Sequence, residues 1–175
     1  MATSRQFFIG ASIAAAALIA APAGTAAAQP GSVSRAHSFP EAPPPRTAER
    51  LEDAQRLMME GRFRDARYVY RALANEQLAA SEYPSEALRG LANVEFALND
   101  TRATAEALDE LADAASRFGD PETRVRSLFQ AALLYQGLKY HDRVSDHIGE
   151  IRTLLKSPAI ADSTRNDITA RIPVR

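Results

Sequence analysis

The chain contains no cysteine. That removes disulfides, thiolate nucleophiles, thiolate metal sites and a lipid-anchoring cysteine, and leaves side-chain packing as the source of stability. It also lacks a dominant charge. Lys and Arg total 21 against 22 Asp and Glu, for a formal net charge of −1. A balance of this kind exerts no broad attraction on phosphate backbones or anionic lipid, so nucleic acid is not an expected partner. Histidine is scarce, at three residues, and one of them, His37, sits outside any helical pattern. Glycine-rich phosphate loops and nucleophile elbows are missing, and so is the apolar/polar alternation of a strand. No cofactor or metal is expected.

What is present divides the chain into three parts. Residues 1–28 carry a single charge, Arg5, then an apolar run from Phe7 to Ala21 and small residues ending in Ala26-Ala27-Ala28. This is the order of a secretory signal peptide, with cleavage expected between Ala28 and Gln29. A retained anchor would need about 20 apolar residues, and the run is shorter and broken by Pro22 and Gly24. The expected location is therefore periplasmic or secreted, with no membrane anchor after cleavage. Ser4-Arg5-Gln6-Phe7-Phe8 is similar to a twin-arginine export signal but has only one of its two arginines. Residues 29–46 shift to Pro, Ser, Gly and Ala and end in Pro43-Pro44-Pro45 before Arg46. Proline fixes an extended backbone and removes donors, so this part reads as a semi-stiff tether.

From Thr47 to about Arg171 the apolar residues recur at helical spacing. Breakers and caps divide that stretch into helices at 47–60, 63–76, 84–98, 101–117, 121–136, 140–156 and 159–171. Asp120-Pro121-Glu122 combines a capping side chain, a first-turn proline and an acid at the positive helix end. Ser157-Pro158 suggests another start, and Gly61, Asn99-Asp100 and Gly137 mark turns within three hairpins.

The hairpins share a spacing. Ala54 precedes Ala66 by twelve residues, Ala92 precedes Thr104, and Ala132 precedes Val144 by the same interval. Two larger apolar residues follow each time: Tyr70 and Leu73, Leu108 and Leu111, Ile148 and Ile151. A small residue on each helix lets two backbones approach while the larger pair completes the apolar stripe. Gly61–Leu73 shows the pattern most clearly, with Phe63, Ala66, Tyr70 and Leu73 on one face. The stretch resembles the turn and second helix of a tetratricopeptide repeat. The units recur after 38 and 40 residues rather than 34, and Asp53 and Glu95 stand where that family usually has apolar residues.

The expected fold is thus all-α: antiparallel hairpins stacked as a short solenoid over residues 47–172, capped by the last helix through Ile160, Ile168 and Ile172. The resemblance implies a non-catalytic scaffold that binds a protein or peptide along the first helices of the hairpins. Transferred through the alignment, that groove face carries Leu51, Gln55 and Met58, then Glu86, Arg89, Asn93 and Phe96, then Arg126, Phe129 and Leu133. Arg89 and Asn93, at i and i+4, are similar to the basic-plus-asparagine pairs that hold peptide carboxylates or main chain. Phe96 and Phe129 would add apolar contacts beside Arg126. Three units are near the minimum for a stack, so self-association through the uncapped first hairpin is a further expectation. An alternative is a helical carrier of a lipid-like ligand, or an accessory subunit of an envelope complex.

Two sets of polar residues suggest chemistry but favour plain solvation. His141 and His147 lie about 120° apart around a helix and cannot readily share a metal, even with Asp142 and Asp146 nearby. Glu106, Glu110 and Asp113 line one helix face, yet nothing places them in the cleft that acid–base catalysis requires.

Overall fold

The computed structural model describes residues 46–172, and the expected signal peptide and nearly all of the tether lie outside them. Seven α-helices make up the described residues, with no strand among them: α1 Arg46–Met59, α2 Phe63–Ala79, α3 Ser85–Ala97, α4 Thr101–Arg117, α5 Pro121–Gly137, α6 His141–Leu154 and α7 Asp162–Arg171. None of these is long and apolar enough to cross a membrane. Each helix from α1 to α5 packs on the next, α1 also meets α3, and α7 turns back onto α5. The result is an all-α stack of antiparallel hairpins.

The turns explain why the helices stop where they do. After α1, α3 and α5 the chain places Gly61, Asn99 and Lys139 in the left-handed region, with φ of +74°, +60° and +63°. The next residue then donates back to a carbonyl five positions earlier: Arg62 to Leu57 at 2.9 Å, Asp100 to Glu95 at 3.0 Å, and Tyr140 to Tyr135 at 3.0 Å. This double-bonded C-terminal closure satisfies carbonyls that the ended helix would leave unpaired. All three hairpins use the same closure although the residues differ. The third turn is made by Lys139, not by the expected Gly137, which is still in α5. Ser81 and Gly119 end α2 and α4 in the same backbone conformation, so α2 continues three residues past its expected end.

Two helix starts behave as the residues dictate. Asp100 accepts from the Ala103 N–H at 2.9 Å and Asp120 from the Thr123 N–H at 3.0 Å, with Pro121 in the first turn of α5. Ser157-Pro158 does not start a helix. The Ser157 hydroxyl accepts from Ala159 N–H at 3.2 Å and forms a turn instead. The Arg165 guanidinium braces that turn from α7, donating to the carbonyls of Leu155, Ser157 and Ile160 at 2.9, 3.0 and 3.0 Å. α7 consequently begins at Asp162 rather than 159.

The core follows the repeated spacing. Ala54, Ala66, Ala92, Thr104 and Ala132 are buried at the helix crossings, as are Tyr70, Leu73, Leu108, Leu111 and Ile151; Val144 and Ile148 are half-buried. Two clusters result. The larger one runs through α1–α5, and the smaller joins Val125, Leu128 and Phe129 with Ile151, Ile160 and Ile168.

Candidate functional site

α1 and α3 stand side by side, and between them lies an open depression of about 410 Å³. α1 contributes Gln55, Met58 and Met59; α3 contributes Glu86, Arg89, Gly90 and Asn93; Tyr70 of α2 closes the bottom. The floor depends on a missing atom. A Cβ on Gly90 would lie 2.3 Å from a carbon of the Tyr70 ring, so glycine lets that ring lie against the α3 backbone. Tyr70 is 4% exposed, and burial pushes its phenol above the usual range.

Arg89 and Asn93 fall on one face because they are one helical turn apart. Neither makes a hydrogen bond or ion pair to any described residue, and the same holds for Gln55 and Glu86. Most arginines here are engaged elsewhere: Arg50 with Glu76, Arg71 with Glu110, Arg124 with Glu150, Arg143 with Asp109. Arg89 still acts at a distance on the start of α5. Burial pushes the Asp120 carboxyl up, but the Thr123 and Tyr83 hydrogen bonds and the Arg89 charge outweigh it and leave Asp120 below the usual carboxylate range. The Tyr83 hydroxyl donates to Asp120 at 3.1 Å, and its ring stacks on Phe118 at 5.2 Å.

The structure brings together only part of the expected groove. Gln55, Met58, Glu86, Arg89 and Asn93 share the depression, and Phe96 is 52% exposed on the same helix. Phe129 lies apart from the depression: at 7% exposure it is a core residue of the smaller cluster, because α7 packs on α5 and places Ile160 and Ile168 in the same cluster. Arg126 is exposed but engaged, donating to Glu122 at 2.8 Å and to the Thr164 hydroxyl of α7. The third unit therefore offers no free counterpart of the Arg89–Asn93 pair, since α5 and α7 meet there.

One cluster was not legible from the sequence. The Asp109 carboxylate of α4 accepts from the Tyr135 hydroxyl of α5 at 2.7 Å and pairs with His147 Nε2 of α6 at 2.7 Å. Arg143 stands 3.7 Å away and also lies over the Tyr135 ring. His147 is 8% exposed, and among the described residues its side chain hydrogen-bonds Asp109 alone. Burial and the Asp109 acceptor together raise the Tyr135 phenol well above its ordinary value. Asp109 thereby ties α4, α5 and α6 together in a polar clasp. The only sequence signal was a helical histidine on the buried stripe, whose partner comes from 38 residues away. His141, Asp142 and Asp146 remain exposed, and no three His, Asp or Glu side chains among the described residues converge as metal ligands. Glu95 is buried beside Arg67 at 3.6 Å, with one carboxylate oxygen lacking a hydrogen-bond partner.

No family model matches this chain, and the comparisons with curated proteins and with solved structures also returned no match.

Proposed function

We propose that this chain is an exported, non-catalytic scaffold whose tetratricopeptide-like hairpins bind an extended peptide segment of a partner protein in the depression between α1 and α3. The reading rests on one observation above the others: Arg89 and Asn93 line that depression, and neither side chain hydrogen-bonds or ion-pairs with another described residue. A guanidinium supplies paired donors to a carboxylate, and a carboxamide donates and accepts at once, which suits a peptide main chain or its terminal carboxylate. Gln55 adds a second carboxamide from the opposite wall, and Met58 and Met59 add adaptable apolar surface. This polar lining suits a peptide better than a lipid-like ligand. The signal-like residues 1–28 and the tether support a periplasmic or secreted setting.

The test uses defined probes: an array of extended peptides, each made with a free and with an amidated C-terminus, presented to the full chain from Gln29. Replacing Arg89 and Asn93 together with alanine should weaken the best binder by at least about tenfold, since a charge-assisted hydrogen bond contributes about 1.5–3 kcal/mol. Circular dichroism should be unchanged, because neither side chain hydrogen-bonds or ion-pairs with another described residue. Equal binding by parent and double variant would refute the assignment.

A further inference from the structure

Apart from Arg165, which donates to the carbonyls of Leu155, Ser157 and Ile160, α7 has few means of its own to hold itself in place. It is ten residues long, its N-cap is Ala161, and no side chain of its own caps it. A helix this short is marginal alone in water, so it depends on its seat. Its only helical neighbour among the described residues is α5. Its apolar residue Ile168, with Ile160 before it, joins Val125, Leu128 and Phe129 of α5 and Ile151 of α6 in one cluster, while Ser163, Asn166 and Asp167 are exposed.

The missing cap is supplied from α5. Glu122 accepts the Ala161 N–H at 3.2 Å through one carboxylate oxygen; the other accepts the Thr164 hydroxyl and the Arg126 guanidinium at 2.8 and 3.0 Å. Ala161 is the N-cap of α7 and Thr164 its third helical residue. Glu122 therefore takes the part that the acid of a capping box plays within one helix, here delivered by another. Thr164 is buried, whereas the Glu122 side chain keeps 32% of its surface and is reachable by solvent protons.

We propose that Glu122 is an acid-sensitive latch: while its carboxylate is ionised α7 stays seated on α5, and its protonation frees α7 and uncovers the apolar surface around Phe129. The charged and polar groups facing Glu122 are Arg126 on its own helix, and Thr164 and the Ala161 amide from the α7 side. Asp162 and Arg165 of α7 pair with each other, and Arg124 of α5 pairs with Glu150. A neutral carboxyl loses one acceptor oxygen and its attraction for Arg126, so three contacts weaken together. Burial pushes the Glu122 carboxyl up, but the bonds from Thr164, Arg126 and Ala161 outweigh it and leave it below its ordinary value. A depressed carboxyl stabilises above the unfolded value and loses that contribution as pH falls through the folded one, so the latch is closed at neutral pH and opens in acid.

Amide hydrogen exchange on the full chain, corrected for intrinsic rates, tests it between pH 7 and pH 3. In the parent, α7 amides should lose protection at a higher pH than those of α2–α4. Glu122→Gln, which imitates the neutral carboxyl, should cut α7 protection at least tenfold at pH 7, leave α2–α4 within twofold, and abolish the separate acid step. Thr164→Val, which keeps side-chain shape but removes one donor, should loosen α7 to a lesser degree and shift the acid step upward. If both variants protect α7 at pH 7 to within twofold of the parent, or if the parent loses α7 and α2–α4 protection at one pH, the latch is overturned.

Discussion

Replacing Gly90 with alanine sets two effects of known size against each other. In the interior of a helix, alanine is favoured over glycine by about 0.8–1 kcal/mol, so an unobstructed site should gain stability. Gly90 is obstructed. The added Cβ would lie 2.3, 2.5 and 2.6 Å from three carbons of the Tyr70 ring, where ordinary carbon contacts settle at about 3.5–4.0 Å. The ring is 4% exposed and wedged in the main core cluster, so it must shift by about 1 Å against packed neighbours. Overpacking of this kind costs about 1–3 kcal/mol, and so deep an overlap belongs near the upper end. The net expectation is a loss of about 2 kcal/mol, or about 7 °C in Tm for a domain of this size. Gly149 provides the control: it also lies inside a helix, α6, but a Cβ there meets nothing within 4 Å. Gly149→Ala should raise stability by about 0.5–1 kcal/mol. A Tyr70→Ala background should turn Gly90→Ala from destabilising to neutral or stabilising, because the obstruction is gone. Urea unfolding followed by circular dichroism reads all four variants. Gly90→Ala at or above the stability of the parent would refute the packing argument.

Other substitutions probe the turns, the caps and the clasp. Lys139→Gly should stabilise by about 0.5–1 kcal/mol in the same urea assay, because a lysine at φ +63° carries strain that glycine avoids; a loss would contradict the left-handed turn. Asp100→Ala should cost about 1 kcal/mol as a lost cap, and Asp120→Ala about 2 kcal/mol, because Asp120 also accepts the Tyr83 hydroxyl. The Asp120 carboxyl is held below its ordinary value, so its contribution is complete above the unfolded value and disappears as pH falls through the folded one; Asp120→Asn should flatten that part of a stability-versus-pH curve. Asp109→Ala leaves Tyr135 and His147 without their acceptor and should cost about 2–3 kcal/mol, and a change below about 0.5 kcal/mol would rule out the clasp.

Much of the architecture was legible because it is local. The 3.6-residue period, the Asp120-Pro121 start and the recurrent Ala54–Ala66 spacing are properties of neighbouring residues, and the helices and buried crossings follow them closely. Gly137 misled because glycine is the usual but not the required left-handed residue; the chain closes α5 with Lys139 two positions later. Ser157-Pro158 misled because a hydroxyl before proline can make a turn as well as a cap.

The helices, their pairing into hairpins and the row of residues from which Arg89 and Asn93 come were already written in the residue order. Each of these depends on periodicity along one segment or its nearest neighbour. Which of those side chains are left without partners among the described residues depends on packing between distant segments. Phe129 and Arg126 have the helical register of a groove wall, yet α7 packs on one and hydrogen-bonds the other from 38 residues away. Asp109 likewise becomes the centre of a clasp only when α5 and α6 deliver Tyr135 and His147 to it. Register fixes the face on which a side chain emerges; what covers that face depends on where a distant segment folds back.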